Sequence, residues 1–455
     1  MTFRVTCIGA GIASLSAAVA LRKHASSIIL LEAAGSIEQM NVRAAGLTLL
    51  PCGTTVLQKL GVDPVRDVQA VRVQSILELD WEDGSLRRET GPLPPTCFAA
   101  HRGALFDALV KKATGADVDG DGSPPAQLLL GKKVVDVDVA SGKVATEDGS
   151  VYESDLIIGG DGVRSITRRA IVKEAIVQPS GLSVYRWTMS PSDWAHLPQD
   201  AKARIDDLVG PENNHANVID AGEKRIVTYG CHESGLVTGA LLLPDYEVPR
   251  TTEDWASAGS LTHLLSKMQD LHEPFKSLMS CIPACGLWQL RKQAPLRTWY
   301  KGKAIILGDA AHPMLPFQAV AGCLAMEDAE ALQYCLGAVG HRPERVAEAL
   351  SQTFCMRFIR CSIIQHFSNS SSFGNEFMEK AARWSLENNK QGQDDNVVPV
   401  TSSGLDHVVQ RDIVERVRET AVAFDARTAS SWVMGYTLDD FVKNGRRYIL
   451  ERPYV

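Results

Sequence analysis

"FRVTCIGAGIASLSAAVALRKHASSIILLE", Phe3 to Glu32, decides how the chain folds. It opens with a short apolar run and breaks at Gly9 and Gly11. It then continues through alanine, serine and leucine for the length of a helix, and closes with a second apolar run, Ser27 to Leu31. A parallel strand–helix–strand unit explains this order, because parallel strands covered on both faces are continuously apolar and do not alternate. The glycines stand at the strand-to-helix turn, where missing side chains let backbone N–H groups and the positive end of the helix dipole reach a pyrophosphate. Ser14 occupies the place of the usual third glycine, whose task is close helix–sheet packing, and a small serine is a tolerable departure. Glu32 ends the second strand 23 residues after Gly9, where a carboxylate can take both ribose hydroxyls and disfavours a ribose 2′-phosphate. The tightly held ligand is therefore expected to be FAD or NAD, not NADPH. A tight turn with no ligand is the alternative reading of the glycine pair alone.

The chain has 455 residues, too many for one ordinary core, so two or more lobes are expected. Net charge is −7 with the positive residues scattered, which gives no footprint for nucleic acid or an acidic membrane surface. Apolar runs such as "SIILL" and "AIIL" are of strand length, far short of the roughly 20 residues a membrane helix needs. The amino terminus enters a strand at once, without a charged leader or cleavage site, so a cytoplasmic protein acting on small molecules is expected. Ten cysteines are dispersed without a pairing rhythm, and Cys281 and Cys285 lack zinc-site spacing and a second ligand pair. They read as reduced thiols. Asp117, Asp119, Asp121 and Gly122 mimic the start of a calcium loop, but Leu128 stands where the bidentate glutamate should fall, so no metal is expected.

Residues 71 to 96 alternate and turn at "WEDGS" and "GPLPP", which predicts antiparallel strands, and a helix is predicted at "GALFDALVKKA". Alternation returns from about 180 to 284, and the pattern after 323 is mostly helical, interrupted by a polar loop at 387 to 404.

Two further segments extend the first. "DLIIGGDGVRS" (155 to 165) is a strand broken at Gly159, Gly160, Asp161 and Gly162, and "KAIILGDAAHP" (303 to 313) is another, ending at Gly308 and Asp309. Three strand ends of this kind in this order resemble the class A FAD-dependent monooxygenases, the salicylate hydroxylase-like aromatic hydroxylases, over nearly the whole chain. The resemblance implies an α/β fold: a Rossmann-like FAD-binding domain, a second β-sheet substrate domain and a C-terminal helical segment. The corresponding expected boundaries are 1–70, 97–178 and 285–350 for a discontinuous FAD-binding domain, 71–96 and 179–284 for the substrate domain, and 351–455 for the C-terminal helical region.

Residue by residue, the resemblance implies that Gly9, Gly11 and Glu32 hold the ADP half of tightly but non-covalently bound FAD. It places Arg102, in "HRGALFDAL", on the flavin side. Asp161 matches the middle motif, implicated in both FAD and nicotinamide binding, and Asp309 matches the aspartate of the ribityl chain. Pro316 is expected near the flavin ring, and the helix from about Ala321, including Gly322, should aim its amino terminus at the flavin's pyrimidine edge. The plain alternatives are a surface arginine at a helix start for Arg102 and a helix cap for Asp309. After Pro316 the family usually has a glycine-rich run, and here stands "FQAVAGC". Ala319, Val320 and Ala321 should narrow the space for flavin movement or oxygen. His312, a histidine before proline, reads as structural and not as a base.

The chemistry implied is transient reduction of FAD by NADPH or NADH, capture of O2 as a flavin hydroperoxide, and attack by an electron-rich aromatic substrate. Arg186, in "LSVYRWTM", is the candidate to stabilise oxyanion charge, with cross-sheet pairing as the alternative. Asp439, beside Asp440 in "WVMGYTLDDF", is the candidate to assist the substrate from a closing element, with helix capping as the alternative. The carboxy-terminal motif is similar to fungal secondary-metabolite enzymes, including a branch that epoxidises the 2,3-bond of indole alkaloids. Indole epoxidation is therefore the preferred expectation and phenol hydroxylation the other, since no base for a phenol stands out. The crowded "FQAVAG" loop also leaves open a flavoprotein reductase, oxidase or scaffold.

Overall fold

The computed structural model describes residues 3–41, 45–116, 122–172, 177–209, 215–222, 224–248 and 258–370. The opening unit forms as the apolar pattern requires: a strand Arg4–Ile8, a helix Ile12–Leu21 and a parallel strand Ser27–Leu31. These are the centre of a six-stranded sheet in the order 300–301, 304–306, 156–159, 4–8, 27–31 and 127–129. All pairings are parallel except that of the short edge strand Tyr300–Lys301. The central strands are almost wholly buried, which is why they read as unbroken apolar runs.

Register then does the work of assembly. Ile8 lies level with Gly159 on one side and Leu31 on the other, and Gly159 lies level with Ile306. The residues just beyond these positions, Gly9, Glu32, Asp161 and Gly308–Asp309, therefore leave the sheet at one common carboxyl edge, where open α/β sheets bind ligands.

Small residues on the helix Ile12–Leu21 have a structural purpose. The helix is buried from Ala13 to Leu21 and packs against the later helix Ala321–Ala338. Gly308 sits between the two, and a Cβ built on it would stand 3.1 Å from both the Ala13 and Ala325 methyls. Protein backbone, not only a ligand, is what approaches the small-residue helices so closely.

The second lobe is a seven-stranded sheet in the order 286–292, 178–189, 236–244, 225–232, 215–220, 75–80 and 86–90. It is antiparallel apart from the pair His215–Asp220 with Ser75–Asp80. Period-two alternation buries Tyr185, Trp187, Leu241, Leu243, Ile226 and Ile219 in a core of their own, which the helices Leu261–Ser266 and Glu273–Met279 share. The opposite face carries Arg186, Val227, Tyr229 and Trp288, all only partly buried. Gly286–Lys292, expected within the cofactor lobe, is instead the edge strand of this sheet, because it pairs antiparallel with Gln178–Met189. The lobes meet where the Gly46 amide donates to the Thr238 Oγ1 at 2.9 Å.

After the helix Ala321–Ala338 a long helix runs Val346–Ser370, so a division at 351 falls inside it. Among the described residues no helix is long and apolar enough to cross a membrane. Most of the expected carboxy-terminal region, with Asp439 and Asp440, lies outside the described residues, as do Asp117, Asp119 and Asp121.

Candidate active site

At the amino-terminal turn Gly9 has φ +81°, and a Cβ there would meet the Gly160 carbonyl oxygen at 2.9 Å. Ser14 is fully buried, and a Cβ on Gly160 would stand 2.2 Å from its Oγ. The close packing usually left to a third glycine is thus supplied from the neighbouring strand end. Gly11 precedes the first helix with no side-chain cap, and the helix Ala321–Ala338 also begins without one. These two helix starts lie side by side, since a Cβ on Gly322 would be 3.6 Å from Ile12 Cδ1. Their N–H groups and dipole ends form one anion-attracting region. Glu32 accepts the Ala10 amide at 2.8 Å on one oxygen and the Ala34 amide at 2.8 Å on the other. Two amides fix its orientation and leave each oxygen a lone pair for a ribose hydroxyl. This bare-backbone cradle and oriented carboxylate fit the ADP half of FAD.

A second constellation gathers around Asp309. Its side chain opens to solvent on the cofactor edge and is packed against protein on its other sides, and among the described residues its carboxylate takes no hydrogen bond, so it is only partly desolvated. That desolvation raises the carboxyl, while His312, Arg102, Arg168 and Arg186 act against the rise. Arg102 begins the helix Arg102–Thr114 and donates its amide to the Ala45 carbonyl at 3.0 Å. Burial lowers its guanidinium, which Asp309 and Glu32 attract. Arg186 reaches from the second lobe. Burial lowers it too, with Tyr229 and Asp309 favouring its charge and Arg102 opposing. Its Cζ lies 5.3 Å from the Trp288 ring centroid. Burial pushes the Tyr229 phenol up to about 12. The sheet face and the cofactor edge thus share one cluster of unlike charges.

Asp161 behaves differently. Its carboxylate accepts from Ser165 Oγ at 2.6 Å, the Ile166 amide at 2.8 Å, and the Thr167 amide and Oγ1 at 3.0 Å each. It organises the loop and the start of the helix Ile166–Ile171. Pro316 opens a short 3-10 turn, Pro316–Gln318, which ends at Ala319 with φ +51°. Phe317, next in the loop, lies 5.8 Å beneath the Arg225 guanidinium of the second lobe.

Sequence reasoning missed the residues that hold these loops. Arg168 is buried and donates to the Ala310 carbonyl at 2.9 Å and to Val163, tying two strand ends together. Asp328 accepts the Gly308 amide at 2.9 Å, the His312 Nε2 at 2.7 Å and the Arg357 Nε at 2.8 Å. Glu327 accepts from Arg357 at 2.6 Å and from Arg360 at 2.7 and 2.8 Å. An adjacent acidic pair, Glu327–Asp328, set in the apolar half of its helix, with two arginines three apart on the next, was the available signal. His312, Asp328 and Cys361 lie close enough to hold a metal ion. Asp328 is already engaged by three donors, one a guanidinium, so the cluster reads as an ion-pair network and not as a cation site.

Among the described residues the fold has one bare-backbone dinucleotide cradle, with an aspartate at a neighbouring strand end and the second sheet facing it. Residues 135–350 match the model of the FAD binding domain. The chain is 29% identical over 346 residues to hispidin-3-hydroxylase of Neonothopanus nambi, covering 72% of this chain and 79% of that protein. It is 26% identical over 385 residues to salicylate hydroxylase of Pseudomonas putida, covering 80% and 84%. The solved substrate complex of a salicylate hydroxylase superposes with a TM-score of 0.65 at 22% identity, over 96% of this chain and 99% of that one. Over most of its length the chain is therefore similar to FAD-dependent monooxygenases, salicylate hydroxylase among them.

Proposed function

We propose that the enzyme uses NAD(P)H and O2 to hydroxylate an electron-rich aromatic small molecule bearing an acidic phenol or enol hydroxyl. The observation that carries this reading is Arg186, partly buried on the sheet face and grouped electrostatically with Asp309, Arg102 and Tyr229. Bound FAD supplies the redox and oxygen-activating chemistry. Gly9, Gly11 and Glu32 hold its ADP half, Arg102 and Asp309 its flavin side, and the amino end of the helix that carries Gly322 favours negative charge there. The Arg186 guanidinium stabilises the substrate oxyanion and so makes the ring more electron-rich. Trp288 offers a flat wall beside it.

Two of the most similar relatives carry hydroxylase names, for hispidin and for salicylate, which supports hydroxylation. Epoxidation of an indole 2,3-bond is the second reading. It is favoured by Tyr229, whose raised phenol is a poor proton acceptor near neutrality, because an indole needs no deprotonation. The test is NAD(P)H oxidation by the FAD-loaded enzyme with hydroxylated aromatics and with indoles, followed by product mass. A phenol substrate should give a kcat/KM that rises with pH through its own ionisation, and an indole should give a flat profile. Arg186→Met should lower kcat/KM on the phenol by about 100-fold or more. An undiminished rate in that variant sinks the oxyanion role.

A further inference from the structure

Between the helix Ala321–Ala338 and the helix Val346–Ser370 lies a chain of charged side chains with almost no solvent exposure: Glu327, Asp328, Arg357 and Arg360. It ends at His312, which is 1% exposed. The network grips the turn that carries Asp309 at both ends, through the Gly308 amide and the His312 ring, on the same oxygen of Asp328. Gly308 itself has φ +58°, so the turn has a conformation that few other residues could hold. Beyond His312, the side chains of Gln365 and Asn369 hold the Pro313 carbonyl at 2.9 Å and the Leu315 amide at 3.2 Å. The loop is thus anchored to the long helix along its length.

We propose that His312, held by Asp328, is a positioning residue for the flavin: the pair fixes the Gly308–His312 turn and sets a positive charge beside the Asp309 carboxylate where it meets the cofactor. Three cations face two carboxylates when His312 is protonated, so the network carries an excess positive charge, and Asp309 is the nearby acid that uses it. The groups facing His312 are Asp328 from one helix, Cys361 from the other, and Asp309 on its own turn, with Arg357 across Asp328. The Trp299 ring, 5.1 Å away, closes the remaining side. Burial favours the neutral imidazole, but Cys361 and Asp328 more than offset it and raise His312 well above its ordinary value. Among the charges acting on Asp309, His312 has the largest effect.

The inference rests on the reading that Asp309 holds FAD, and the test separates the two. FAD affinity of the apoprotein would be measured by flavin fluorescence from about pH 6 to about pH 8 for the wild type, H312Q, D309N and the double variant, with the apoprotein melting point as a check on folding. Wild-type affinity should be flat. H312Q keeps an amide donor for Asp328 but loses the charge, so its affinity should fall about twofold at the acid end and recover as pH rises, as expected when a one-unit rise in the Asp309 pKa acts on a carboxylate that is ionised throughout this range in the wild type. D309N should be weakened at every pH, and adding H312Q to it should change little further, since the two changes act on one interaction. Weakening by H312Q that is equal at all pH values and additive with D309N overturns the inference. Unchanged affinity in D309N overturns the role of Asp309 itself. If H312Q does not fold, the wild type and D309N still decide: affinity that the wild type loses on acidification through this range, and D309N does not, is the contrary result.

Discussion

Gly160–Asp161 and Gly308–Asp309 are the same dipeptide at the ends of neighbouring parallel strands. The Asp161 carboxylate is spent on four donors within six residues of itself, two amides and two hydroxyls. The Asp309 carboxylate accepts no hydrogen bond among the described residues and faces charges drawn from four separate parts of the chain. One aspartate builds a loop, and the other is presented by one. The neighbours on the carboxyl side make the difference: a serine and a threonine with a short helix after Asp161, and alanines, a histidine and a distant acidic partner after Asp309.

The largest effect should come from removing the support that presents Asp309. Asp328→Ala strands the His312 and Arg357 charges in the core, and loss of one member of a buried ionic network costs about 3–5 kcal/mol. Thermal unfolding of the apoprotein should show this loss before any flavin is added. Acid and alkali should erode the same network from opposite sides. Burial opposes ionised Asp328, but His312 and Arg357 hold its carboxyl below the usual range, so its contribution is present above the unfolded value of about 3.9 and is lost as pH falls toward the lowered folded value. His312 is raised, so its contribution is complete below its unfolded value of about 6.5 and is lost as pH rises through the raised folded value. The melting temperature should therefore decline on alkalinisation in the wild type and decline less in H312Q. Equal alkaline slopes would remove His312 from the account.

The two aspartates should then part company under matched substitutions. Asp309→Asn should weaken FAD binding about ten- to a hundredfold, the range for a hydrogen bond to a charged group, with little change in the apoprotein melt. Asp161→Ala should do the reverse, destabilising the apoprotein by about 1–2 kcal/mol through the lost helix start while touching FAD affinity less. Similar behaviour of both variants in both assays would break the comparison.

The cofactor edge was legible because its signal is local. Continuous apolar runs, glycine turns and Glu32 are each set by a few adjacent residues, and strand register then brings them together. The internal division of labour was not legible. Nothing near Asp309 reveals that Asp328, nineteen residues on, holds its turn, or that Arg357 in the next helix completes the clasp. Arg168 escaped notice for the same reason, since its partners Ala310 and Val163 lie on different strand ends. Gly286–Lys292 reads from sequence as part of the wrong lobe because an edge strand is identified by its neighbour, Gln178–Met189, about a hundred residues earlier. Arg186 stood out only through the resemblance of its strand to that of the aromatic hydroxylases, and alternation sets it on the face opposite buried Tyr185.

The smallest effect belongs to the far end of the Asp309 loop, where alanine stands in place of glycine. Ala319 is exposed and adopts φ +51°, ψ +28°, a left-handed conformation that costs a residue with a Cβ about 1–2 kcal/mol. Ala319→Gly relieves that cost but gives back about 0.5–1 kcal/mol in unfolded-chain entropy. The net gain should be at most about 1.5 kcal/mol, a rise of about 2 °C or less for a protein of this size. The rise should come without tighter FAD binding, because a glycine lets the loop between Pro316 and the buried Val320 sample more conformations. A fall in melting temperature would mean that the Ala319 methyl has a packing role that its exposure does not suggest. A gain in stability together with weaker flavin binding would mean that the alanine is kept for rigidity, and that the strain at Ala319 and the ion pair at Asp328 hold one loop from its two ends.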